Sequence, residues 1–121
     1  MQTKSVFIGT IQIIEIISKE IIIKNEQDAL DVMSNVSADH IILHKHNFEK
    51  DFFDLSTRIA GEILQKFTNY HIKLAVIGDF KKYQSKSLKA FIYESNKQGD
   101  YLFSSSIDEV LKIWKKNYGH S

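Results

Sequence analysis

STRIAGEILQKFTNYHIKLAVIGDF, residues 56–80, carries two periodicities in succession. With Leu55 just ahead of it, the apolar residues Leu55, Ile59, Ala60, Ile63, Leu64, Phe67 and Tyr70 are spaced 4, 1, 3, 1, 3 and 3 apart. That spacing puts them on one face of a helix. Arg58, Glu62, Gln65, Lys66 and Asn69 take the other face, and Glu62 precedes Lys66 by the four residues that suit an ion pair. At residue 72 the pattern changes. Residues 72–78, IKLAVIG, are apolar almost without interruption. A strand of that kind is buried on both faces, as in the middle of a parallel sheet. A helix feeding directly into such a strand is half of a crossover unit, and this decides the fold class.

The units on either side continue the alternation. Residues 5–8 and 11–17 are rich in β-branched and aromatic residues and flank Gly9-Thr10, which reads as a hairpin turn. A short extended piece is expected at 20–24. Asn25 is placed to cap a helix near 26–36, with Asp28 as its box partner. Residues 40–44 (HIILH) read as a strand, followed by a helix expected over 53–69. After the strand at 72–78, Ser85 or Ser87 caps a helix near 86–97, and Gln98-Gly99 ends it. Residues 101–103 form the last strand. Ser106 and Glu109 make a capping box for a helix near 107–117. The expectation is an α/β domain with a four- to five-stranded mixed, mainly parallel sheet and about four helices, joined by right-handed crossovers.

Composition narrows the function classes. A length of 121 residues suits one domain, 1–121. Net charge is +1, which lacks the basic footprint of a nucleic-acid binder and of a protein held to anionic lipid. The absence of cysteine removes disulfides and thiolate chemistry together. The first ten residues lack the pattern of a signal peptide, and the apolar stretches fall far short of the ~20 residues that span a bilayer. A soluble, cytoplasmic protein is expected.

Five stretches, DALDVM, FFDLSTRIAGEILQKFTNY, KLAVIGDF, SKSLKAFIYESN and SSIDEVLKIW, together resemble the bacterial family catalogued as domain of unknown function 4180. The resemblance covers about residues 11–115 and implies no activity, cofactor or catalytic residue. The order of elements is also similar to that of STAS domains, named for sulfate transporters and anti-sigma-factor antagonists. Those domains place an Asp-Ser-Ser/Thr-Gly motif after a central strand, at a helix start, where the hydroxyl can be phosphorylated. Asp54 matches the aspartate of that motif, and Ser56 or Thr57 matches its hydroxyl. Leu55 replaces the first serine, and residues 58–60 separate Gly61 from the hydroxyls.

Ligands of parallel sheets bind beyond the carboxyl ends of the strands. Those ends are expected to gather His44, His46, Asp79, Ser85 and Ser104 with the turn Asp54, Ser56, Thr57. Two helix starts there, with Lys81, Lys82 and Lys86 nearby, suit a small anion. The plain alternative is that Asp54, Ser56, Ser85 and Ser106 are helix caps and the lysines solvated charges. His44, His46 and Asp54 have the composition of a two-histidine, one-carboxylate metal set, but surface histidines are the favoured reading, so no metal or cofactor is expected. No acid–base pair, nucleophile elbow or phosphate loop is recognisable. The favoured reading is a non-enzymatic regulatory or protein-interaction module with a hydroxyl switch at Ser56 or Thr57. The alternatives are a ligand-binding protein or enzyme using the strand-end crevice, with Asp54 and Asp79 as its acids, and a structural homo-oligomer. Gly61, a helix breaker in an otherwise strong helix, is expected at a close helix contact.

Overall fold

A computed structural model describes residues 1–118. The chain runs β1 (Gln2–Ile8), β2 (Ile11–Ile17), α1 (Glu26–Asn35), β3 (His40–His44), α2 (Ile59–Asn69), β4 (Lys73–Ile77), α3 (Lys86–Gln98), β5 (Tyr101–Ser104) and α4 (Ile107–Tyr118). Strand order in the sheet is the order in the chain, β1-β2-β3-β4-β5. The first pair is antiparallel, closed by Gly9 in the left-handed region at φ 60° with Ile8 opposite Ile11. All other pairs are parallel. The expected α/β architecture, a four- to five-stranded, mainly parallel sheet with about four helices, is observed with five strands and four α-helices among the described residues.

Consecutive strand order has a geometric consequence. Three crossovers that advance in one direction with one hand must lay their helices on one face of the sheet. Accordingly Ala29 and Val32 of α1, Ile63, Leu64 and Phe67 of α2, and Leu88 of α3 share a core with Ile14, Ile16, Ile41, Leu43, Leu74, Val76 and Phe103. α4 follows the last strand and crosses to nothing, so it is free to cover the opposite face. Its Val110 and Trp114 bury the alternate strand residues Ile13, Ile42, Ala75 and Leu102. The continuous apolar character of β3 and β4 follows from the period of two, since each face of these strands meets helices. Trp114 is fully buried, and its indole N–H donates to the Gly99 carbonyl at 3.0 Å.

Several local expectations are corrected. The helix predicted over 53–69 begins at Ile59. Ahead of it, residues 45–47, 50–53 and 55–57 form three short 3-10 turns. Phe52 and Phe53 are drawn into the core, at 1% and 6% exposure, where they pack on each other and on Phe48. Core contacts of Phe52 and Phe53 hold the chain in 3-10 turns where the helix is expected to start, so tertiary packing overrides local periodicity. Arg58, left-handed at φ 66°, then turns the chain into α2. The extended piece at 20–24 reduces to one parallel bridge, Ile23 with Phe48. Tyr70, at the end of the α2 stripe, is 60% exposed.

Gly61 is not at a close contact: a Cβ placed there meets nothing within 4 Å. Buried Ala60 is the small residue of α2 that packs inward. The close approach lies at Gly78, where a Cβ would stand 2.5 Å from the Lys45 Cβ.

Candidate functional site

The carboxyl ends of β3 and β4 open into a cleft of about 530 Å³. From β3 and the turn after it come His44, Lys45, His46 and Phe48, and further along come Lys50 and Phe53. Ile77, Gly78 and Tyr83 close the β4 side. The aliphatic stem of Lys45 lies directly on Gly78, which is why that position has no room for a side chain. The Lys45 ammonium donates to the Asp79 carbonyl at 2.9 Å. It also stands 4.6 Å from the centre of the Tyr83 ring and 5.8 Å from that of Phe80, within cation–π range. Phe53 and Tyr83 lie nearly parallel, 5.6 Å apart. The cleft thus has an aromatic wall and a cationic rim, and among the described residues no carboxylate lines it.

The two histidines are pinned from the β2 side. His44 Nε2 is 2.8 Å from a Glu15 carboxylate oxygen, and His46 Nε2 is 2.8 Å from the Ser18 carbonyl. Both partners are acceptors, so both Nε2 atoms carry hydrogen and the tautomers are set. The rings stack at 5.5 Å with 17° between planes. Asn47, fully buried, organises the turn beneath them. Its carbonyl oxygen accepts from the His44 backbone N–H at 2.8 Å, and its amide donates to the Ser18 and Glu20 carbonyls at 3.0 and 2.8 Å. Its backbone carbonyl accepts from Ile22 and Ile23. Sequence reading passed over Asn47, because no local pattern marks an asparagine that bridges two loops.

The remaining candidates divide. Asp54, Ser56 and Thr57 form a separate turn outside the cleft lining. Asp54 caps not α2 but the 3-10 turn, accepting from the Ser56 backbone N–H at 3.1 Å and from the Ser56 hydroxyl at 2.7 Å. The hydroxyl, and then the N–H, hold the Asp54 carboxyl below its ordinary range. Thr57 is committed to the backbone: its hydroxyl lies 2.8 Å from the Asp51 and Asp54 carbonyls, and it accepts from Ile59 N–H at 3.3 Å. The Ser56 side chain is solvent-exposed. The Asp79 carboxylate accepts from the Lys81 N–H at 3.0 Å, and its side chain is not among those lining the cleft. Ser85 is the α3 cap, bonded to Leu88 N–H. Ser104 closes a turn with Ser106, and its carbonyl accepts from Gly78 N–H at 2.9 Å. His44, His46 and Asp54 do not converge, and among the described residues no three His, Asp or Glu side chains come close enough to hold a metal ion.

The sequence stretches that form this end of the molecule lie within residues 8–113, which match the family model described as Domain of unknown function (DUF4180). The chain belongs to the DUF4180 family. No curated protein and no solved structure matches it. The DUF4180 domain therefore brings a family and an observed α/β fold, and its chemistry must be argued from its own residues. Among those described, no helix is long and apolar enough to cross a membrane.

Proposed function

We propose that this DUF4180 domain is a STAS-like regulatory or protein-interaction module, with the Ser56 hydroxyl as its switch. The observation that carries the reading is the turn between β3 and α2. It presents one exposed hydroxyl, held by an aspartate two residues before it, at the connection where STAS domains carry their modified residue. The order of elements, a hairpin and then alternating helices and strands, is the order on which the STAS resemblance rests and supports the same reading. Of the two hydroxyls the sequence offers, Thr57 is spent on the turn itself, which favours Ser56.

The switch has a physical basis. A phosphate on Ser56 would stand against the Asp54 carboxylate that now accepts its hydroxyl at 2.7 Å. Like charges at that separation repel, so modification would open the turn and re-form the surface around it. Because the turn is exposed, the effect falls on partner binding more than on stability. The test is Ser56→Asp against Ser56→Ala, each used to capture partners from the native cytoplasm, beside fragmentation mass spectrometry of the protein from its own cell. The expected result is one phosphate on Ser56 and a partner that distinguishes the variants. Equal capture by both, with Ser56 unmodified, would reduce the turn to a structural cap.

A further inference from the structure

We propose that the cleft at the carboxyl ends of β3 and β4 is a binding site for a small aromatic anion: an aromatic carboxylate, sulfonate or phosphate monoester. This goes beyond the Ser56 reading and does not depend on it, since the turn of Asp54 lies outside the cleft lining. The volume of about 530 Å³ falls in the range of small-molecule sites.

The lining selects the ligand class. Half-buried Tyr83, backed by the buried Phe53 ring 5.6 Å away, gives the cleft an aromatic surface for a flat ring. Lys45 and Lys50 both line the cleft, and neither forms an ion pair among the described residues. Lys45 has three N–H donors, one of which goes to the Asp79 carbonyl. The other two are available to an anion. The Lys45 ammonium is held by that carbonyl and by the Tyr83 ring, so little side-chain freedom is lost on binding. Gly78 belongs to the same construction, because any larger residue would displace the Lys45 stem. A bare inorganic anion would leave the aromatic wall unused, and a neutral aromatic would leave the lysines without a partner. A flat anion satisfies both.

The experiment compares two fluorescent probes of similar shape on the full chain. 1-Anilinonaphthalene-8-sulfonate is anionic, and N-phenyl-1-naphthylamine is its neutral counterpart. The site is located by NMR shifts of the His44, His46 and Gly78 signals. The expected result is saturable binding of one sulfonate probe per chain, with the neutral probe at least about tenfold weaker. Lys45→Met and Lys50→Met should each weaken the sulfonate about tenfold, the scale of one charge-assisted hydrogen bond, and leave the neutral probe little changed. Methionine keeps the apolar stem. Lys50 is exposed, so Lys50→Met reads the charge even where Lys45→Met disturbs the turn. Equal affinity for the two probes would overturn the proposal. So would shifts confined to the separate cavity around Leu30, Met33 and Tyr70, or sulfonate binding insensitive to both lysine substitutions.

Discussion

Asn47→Ala should be among the most damaging single changes outside the apolar core. The Asn47 side chain is fully buried and makes three hydrogen bonds, to His44 N–H, the Ser18 carbonyl and the Glu20 carbonyl. Truncation leaves all three backbone groups without that partner. Each such bond contributes about 0.5–1.5 kcal/mol net, and water can reach only some of the groups, so a loss of about 3 kcal/mol is expected. For a domain of this length, 1 kcal/mol shifts the melting temperature by about 4 °C, so the variant should melt about 12 °C below the parent. Asn47→Asp is nearly isosteric but turns a carboxylate toward two carbonyl oxygens. It retains the bond from His44 N–H yet should do no better than alanine, because a buried charge facing acceptors has nothing to offset its desolvation. Thermal unfolding followed by circular dichroism, with urea titration at 25 °C as a check on two-state behaviour, measures both. A melting temperature for Asn47→Ala within about 2 °C of the parent would refute the reasoning. It would mean that the 18–24 segment is held by Ile23 and its apolar neighbours together with the backbone bonds to Asn47 and Glu49, without need of the Asn47 side chain.

Other positions give opposite signs. His40 is 6% exposed, both its ring nitrogens lack hydrogen-bond partners among the described residues, and it packs edge-on against Trp114 and Tyr118. Burial first, and then the Lys73 charge, push its pKa below the ordinary value. A base whose folded pKa is lowered binds fewer protons folded than unfolded, so stability falls as pH drops below about 6.5 and levels off below the folded pKa. His40→Leu should flatten that part of a stability-against-pH curve measured by urea titration, and an unchanged slope would discharge His40 from the effect. Gly61→Ala adds a Cβ into open space within α2 and should stabilise by about 0.5–1 kcal/mol, read as a rise in melting temperature. Gly78→Ala places its Cβ 2.5 Å from the Lys45 Cβ and should cost about 1–3 kcal/mol in the same assay, together with a weaker sulfonate probe.

Taken alone, the sequence determined the elements whose driving force is local or repeats along the chain. Glycine at residue 9 marked a tight hairpin, and Asn25, Ser85 and Ser106 marked helix starts, because caps act within three residues of the groups they satisfy. The almost uninterrupted apolar character of 72–78 identified a strand covered on both faces, since burial of both sides leaves little polar alternation to read. Tertiary structure decided what depends on which segments meet. The helix expected over 53–69 starts only at Ile59, because Phe52 and Phe53 are held in the core and the chain there is bent into 3-10 turns. The close contact expected at Gly61 is absent for the same reason: steric demand at Gly61 or Gly78 is set by a neighbour distant in sequence, and of these two only Gly78 has one, in Lys45. The candidate site followed suit. His44 and His46 were legible as strand-end residues, but Glu15, Ser18 and Asn47, which fix them, lie on or bridge separate loops and strands. The cationic and aromatic lining of the cleft arises only when the ends of β3 and β4 come side by side, because a parallel sheet brings together ends that are some thirty residues apart in the chain.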